Sequence, residues 1–145
     1  MTLRTTVRKS TGRAKILNAS GLIVDFVGGD TCRSKVTWKN TGGNYDFDVV
    51  VCFINQSTGD LYGIVAEENI FANGGETKIT NLDEQIQYYW PNGTYNVWVL
   101  VGQLISYQKD DHFEMSIAYD EITYAGAIRV TSIGAEIISA SFNKV

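Results

Sequence analysis

The side chains that could carry out chemistry in this 145-residue chain are few and scattered. His112, the single histidine, lies in the segment KDDHF with no second histidine and no cysteine nearby, so a zinc site is not expected. The chain has no Gly-x-Ser-x-Gly motif of the kind that presents a serine nucleophile. We therefore predict a protein that is not an enzyme, with no catalytic residue, no cofactor and no metal.

The remaining reactive side chains are paired carboxylates and two cysteines. Asp46 and Asp48 alternate along one segment and could offer oxygens to calcium, but no EF-hand-like spacing accompanies them. We expect these paired acids to be exposed to solvent, as most acidic residues are. Cys32 and Cys52 could form a disulfide in an oxidising compartment or remain as buried thiols. The sequence leaves both states of the cysteines open.

The elements that position these residues read as β-strands, because apolar and polar residues alternate with period two. In CRSKVTWKN the polar residues Arg33, Lys35 and Lys39 form the solvent-exposed face of a half-buried strand. Turn signals recur about every ten residues, NGGE at Asn73–Glu76 predicts a hairpin, and only Leu82–Tyr89 could form a helical turn. This pattern predicts an all-β, immunoglobulin-like antiparallel β-sandwich. No apolar run approaches the ~18 residues of a membrane helix, so we expect no membrane insertion.

Charge is distributed unevenly along the chain. Of 12 basic and 16 acidic residues, five basic ones lie in residues 1–15, which leaves seven basic against sixteen acidic residues for 16–145. We predict a basic N-terminal arm, residues 1–13, followed by a single sandwich domain, residues 14–145. The arm is either a solvated tail or a segment that binds an acidic partner. A protein partner is favoured over nucleic acid, because the five charges of residues 1–15 bind phosphate modestly and the arm has no aromatic residue for stacking.

Aromatic residues concentrate in YYWPNGTYNVWVLVG. Its alternating valines are expected to enter the core, which places Trp98 and Leu100 on the other face of the strand. That face is covered by the chain's own C-terminal segments or offered to a partner. Tyr88, Tyr89 and Trp90 lie beside a turn, where rings can stack on sugars, although aromatic residues at strand ends also close a core.

The region from Cys32 to Tyr107 resembles a known family. The segments KVTWKNTGG, DFDVVVCF, FANGGETKIT and PNGTYNVWVLVG are similar to the successive strands of CARDB domains, immunoglobulin-like domains related to bacterial and archaeal adhesion. The resemblance implies a β-sandwich that acts as a spacer or interaction module. The basic arm and the long region after Lys109 depart from the family, and look like additional parts for contacting something.

These observations predict a non-enzymatic structural subunit that contacts other copies of itself or another structural protein. A composition rich in Asn, Thr, Ser and Gly, without an apolar signal segment in residues 1–15, suits a virion coat or decoration protein or a cell-surface assembly. The predicted partner-binding residues are Arg4, Arg8, Lys9, Arg13, Trp98 and Leu100. The alternative is a carbohydrate-binding or adhesion module that uses Tyr88, Tyr89 and Trp90.

Overall fold

The computed structural model describes residues 5–9, 12–20, 25–131 and 139–144, with the side chains of 5–9 and 20 left out. Within these ranges the chain forms strands and no helix, which confirms the all-β prediction. Accordingly, no helix in the described part of the chain is long and apolar enough to cross a membrane. The strands are β1 (Thr5–Lys9), β2 (Ala14–Ser20), β3 (Asp25–Val27), β4 (Thr31–Asn40), β5 (Tyr45–Asn55), β6 (Leu61–Ala72), β7 (Thr77–Gln85), β8 (Gly93–Gln108) and β9 (His112–Thr131).

Two sheets pack face to face as the predicted immunoglobulin-like sandwich. The large sheet has the order β1-β9-β8-β5-β6, with β3 also paired to β9, and the small sheet has the order β2-β4-β7. The pairs are antiparallel except that β1 and β3 each run parallel to β9. Both layers hide one face in a shared core, which is the physical reason for the alternating sequence.

The core between the sheets is aromatic. Along β4 every second residue from Cys32 to Asn40 is buried, as the alternation predicts. Trp38, Phe47 and Tyr95 are fully buried, and the Trp38 and Phe47 rings meet edge to face with centroids 5.0 Å apart. Each such ring contributes roughly 2–3 kcal/mol through burial, so the aromatic residues stabilise the sandwich first of all.

A second apolar cluster lies on the outer face of the large sheet, beneath the hairpin end of β8 and β9. Phe113 and Met115 from this hairpin pack on Val50 and Cys52 of β5, and on Leu100. Register shifts near Gly102 and Leu104 bend the long strand pair over the face. A Cβ atom at Gly102 would lie only 2.0 Å from the carbonyl oxygen of Ile117, so the bend requires glycine there.

Two local predictions are wrong. Leu82–Tyr89 does not start a helix: its first residues belong to β7, because Leu82 and Glu84 alternate into the core. Asn73–Glu76 is a turn, with the Glu76 amide donating to the Asn73 carbonyl at 3.0 Å, but it joins β6 of the large sheet to β7 of the small sheet. It is therefore a corner between layers and not a hairpin within one sheet.

Candidate functional site

The three aromatic residues predicted to bind sugars lie in two different environments. Tyr88 and Tyr89 expose 78% and 59% of their surface, whereas Trp90 exposes 3%. The Trp90 indole stacks on the Tyr95 ring at 5.5 Å and lies 5.8 Å from the Phe53 ring. Trp90 thus closes the end of the core, and the two tyrosines are the rings of this segment that face solvent.

Tyr88 is seated on a glycine turn between β3 and β4. A Cβ atom at Gly28 would lie 2.6 Å from Cδ1 of Tyr88, and one at Gly29 would lie 2.8 Å from its hydroxyl oxygen. Gly29 also has a φ of 96°, which favours glycine, and its amide donates to the Ile86 carbonyl at 2.7 Å. The two glycines therefore bring backbone against the phenol ring and fix its position.

A pocket of about 210 Å³ opens beside this ring. Its lining includes two aromatic residues, two residues with side-chain amides, a threonine, a valine and a glycine. The lining residues are Gly28, Gln87, Tyr88, Trp90, Asn92, Val130 and Thr131. Tyr89 does not line the pocket. A small polar ligand with one apolar face suits such a site, because rings pack on C–H groups while amides both donate and accept hydrogen bonds.

The residues predicted to meet a partner through the outer face of β8 are covered by the chain itself. Leu100 is fully buried, and Trp98 is half-buried with its ring 5.9 Å from that of Phe113. This corresponds to the coverage by C-terminal segments that the sequence left open. Neither side chain offers a broad free surface in this structure.

The predicted basic arm is described only in part. Thr5–Lys9 pairs with β9 as an added parallel strand. Arg4 lies outside the described residues, and Arg8 and Lys9 are described only as backbone. The Arg13 guanidinium lies 4.2 Å from the centre of the Tyr45 ring, so this cation is bound to the sandwich by a cation–π contact.

Sequence reasoning missed a buried carboxyl group at Glu84. This residue is fully buried on β7, and its Oε1 lies 3.3 Å from Nζ of Lys109 in the β8–β9 turn. Burial raises the pKa of Glu84 to about 9; the neighbouring Asp110 carboxyl adds to the rise, and Lys109 opposes it. The alternation of Leu82 and Glu84 could have placed this residue inward. Its contact with the hairpin depends on the fold.

A groove at the other end of the large sheet was also missed. It has a volume of about 440 Å³, and it is lined by Asn44, Tyr45, Asp46, Asn69, Phe71 and Gln103. The buried Asp48 carboxylate accepts from the Asn69 amide at 2.8 Å and the Leu104 amide at 2.6 Å. Asn69 has a left-handed φ of 59°, so a charged acceptor holds the irregular part of β6 in place.

The groups first considered for chemistry lie apart from one another. His112 is half-buried, with Nδ1 2.8 Å from Oδ2 of its neighbour Asp111. Cys32 and Cys52 are free and buried in separate apolar clusters, and burial raises the pKa of the Cys32 thiol to about 11. In the part of the chain that the structure describes, no three His, Cys, Asp or Glu side chains are grouped to hold a metal ion.

The sequence matches no protein-family model and no curated protein. The fold is similar to the C-terminal domain of wzt, at 11% identity and a TM-score of 0.57 over 94% of this chain and 86% of that chain. It is also similar to AvmM, which catalyses macrocyclization in alchivemycin A biosynthesis, at 11% identity and a TM-score of 0.52 over 92% and 95% of the two chains. A family 123 glycoside hydrolase from Clostridium perfringens matches at 14% identity and a TM-score of 0.47 over 75% of this chain and 23% of that one.

At such identities the first two similarities bear on the fold alone, and they support the class that the sheets define, a β-sandwich domain. The closer relation to CARDB domains stays a prediction.

Proposed function

We propose that this protein is a non-enzymatic carbohydrate-binding module whose site is the pocket beside Tyr88. The observation that carries the proposal is a ring that is both exposed and fixed: Tyr88 is 78% exposed, yet two glycines are needed to seat it. A ring in that position gains little free energy from burial, so it stabilises the core only weakly and is available for contact with a ligand.

The chemistry of the pocket matches a sugar ring. A saccharide has an apolar C–H face and a rim of hydroxyl groups. Tyr88 offers the matching flat surface, while Gln87, Asn92 and Thr131 supply polar groups around it. One such ring contact is worth about 1 kcal/mol, so binding of a single sugar unit is expected in the millimolar range and needs several copies to become strong.

Adjacent tyrosines provide a matched test. The protein, displayed in several copies, is applied to an array of neutral oligosaccharides, and the positive glycans are titrated with Tyr88→Ala and Tyr89→Ala. We expect about a fivefold loss of affinity for Tyr88→Ala, which corresponds to about 1 kcal/mol, and little change for Tyr89→Ala, because Tyr89 is exposed but lies outside the pocket. Absence of any bound glycan, or an equal loss in both variants, would refute the proposal. Trp90→Ala is unsuitable because it opens the core.

A second function, a structural subunit in a virion or a cell-surface assembly, is favoured by the separation of charge between the two sheets. The strands of the small sheet carry five cations, Lys15, Arg33, Lys35, Lys39 and Lys78, against Asp83 and the buried Glu84. Strands β5 and β6 carry the exposed acids Asp46, Glu67 and Glu68 and the buried Asp48, and no cation. Complementary charge on opposite layers favours contact between identical copies.

Sedimentation at low salt tests this second function. Species larger than a monomer should form as the protein concentration rises, and their share should fall as salt screens the charges. A chain that stays monomeric at the highest soluble concentration and lowest salt would rule the function out.

A further inference from the structure

The outer face of the small sheet carries exposed lysines around an apolar centre. We call Lys15, Leu17, Lys35, Lys39 and Ile79 the basic face; all five side chains are exposed, Leu17 by 48% and Ile79 by 57%. Thr37 of β4 lies between them, since Ile79 is its register partner on β7 and Asn18, next to Leu17, is its partner on β2. Exposed apolar side chains bordered by charge are the usual layout of a protein interface.

The lysines of the basic face repel one another. Lys15 and Lys39 are direct cross-strand partners, a pairing that is destabilising for like charges. Within the described side chains, neither these two nor Lys35 forms an ion pair. Arg33 of the same strand differs, because it binds Asp83 at 2.7 Å. Among the described residues, three cations of this face thus have no ion-pair partner, and an anionic partner would offset their repulsion.

The opposite layer carries the complementary surface. We call Asp46, Glu68 and Phe71 the acidic groove; Asp46 and Phe71 line the 440 Å³ concavity described above, and Glu68 adjoins Asn69, which also lines it. Phe71 is 52% exposed and is the cross-strand partner of Asp46, while Glu68 is exposed on the same strand as Phe71. Glu67 lies on the other face of the sheet, because its cross-strand partner Val49 belongs to the core between the sheets. The acidic groove therefore repeats the layout of the basic face, an apolar centre with a charged rim, but with the opposite sign.

We propose that the basic face of one copy docks in the acidic groove of the next, with Ile79 against Phe71 and the lysines facing the acidic rim. The two surfaces lie on different sheets, so the contact is heterologous and extends head to tail instead of closing a two-fold dimer. The inference rests on the second proposed function, the structural subunit, and it is independent of the sugar pocket.

Charge reversal with rescue tests the contact on the full chain. One variant, Lys35→Glu with Lys39→Glu, reverses the basic face; another, Asp46→Lys with Glu68→Lys, reverses the acidic rim. Each alone should associate at least tenfold more weakly than the wild type in sedimentation velocity at low salt. An equimolar mixture should associate again, because the reversed face of the first variant meets the reversed rim of the second.

Controls separate this contact from other causes. Glu114→Lys reverses one exposed acid of the β8–β9 hairpin outside both surfaces and should leave association unchanged. Thermal melting should show that all variants fold. A wild type that is monomeric under all conditions would overturn both the subunit function and this contact.

Other outcomes overturn the contact alone. If the wild type associates and the Lys35/Lys39 variant associates equally well, or if the mixture gives no rescue, then the subunit function stands and these surfaces are not its interface. Association that requires added nucleic acid would assign the basic face to a polyanion and overturn the second copy as its occupant.

Discussion

Replacing Glu84 by Gln should remove much of the dependence of stability on pH near neutrality. Burial raises the folded-state pKa of this carboxyl from 4.5 to about 9. Below pH 4.5 the Glu84 carboxyl is protonated in both the folded and the unfolded chain, so its protonation does not reduce the free energy of unfolding. Between the two pKa values only the unfolded chain loses it, and stability falls by about 1.4 kcal/mol per pH unit. Above pH 9 both states are ionised and the loss ends.

Two titratable neighbours of Glu84 do not change their charge in this pH range. Burial raises the pKa of Cys32 to about 11 and that of Tyr107 to about 12, so both stay neutral between pH 6 and pH 8. Over those two pH units the wild type should therefore lose roughly 2–3 kcal/mol that Glu84→Gln retains. Gln keeps the size and polarity of the side chain, so the variant should match the wild type within about 1 kcal/mol at pH 5.

Urea unfolding at pH 5, 6, 7 and 8, followed by tryptophan fluorescence, measures the difference. Asp83→Asn is the matched control, because Asp83 is the exposed neighbour whose pKa is lowered by its hydrogen bond and charge contact with Arg33. Because the pKa of Asp83 is lowered in the folded chain, its pair with Arg33 changes the pH dependence of stability only at acidic pH, where Asp83 gains a proton. If Glu84→Gln shows the same pH slope as the wild type, Glu84 is ionised against Lys109 in the folded state, and the reasoning from burial is refuted.

Three further substitutions test the packing. Asp110→Ala removes the 2.9 Å acceptor of the Ile64 amide and should cost about 1–2 kcal/mol in urea unfolding, with faster hydrogen exchange in the β8–β9 hairpin; unchanged exchange there would contradict a tie to β6. Arg13→Ala should lower stability by about 0.5–1 kcal/mol through loss of the cation over Tyr45, whereas Arg13→Lys should retain part of it; equal melting of all three chains would argue against that contact. Gly102→Ala places a methyl group 2.0 Å from a carbonyl oxygen of β9 and should lower the melting temperature by at least several degrees, and a normal melting temperature would show that the bend tolerates a side chain.

The sequence by itself determined which side of a strand is buried in the core. In CRSKVTWKN the alternation names the buried side of β4 from Cys32 to Trp38, because a strand has a side-chain period of two and one face must leave water. The same alternation places Leu82 and Glu84 on one side of β7, and the prediction of a helical turn over Leu82–Tyr89 did not take it into account.

Only the tertiary structure decided what covers each outer face and which neighbouring ring is exposed. Leu100 has the same local pattern whether a partner or the hairpin covers it, and the bend at Gly102 settles the choice. Tyr88 and Trp90 are two residues apart in one turn, yet one lies on Gly28 and the other enters the core. These outcomes depend on backbone brought together from distant parts of the chain, and periodicity along a single strand carries no information about such contacts.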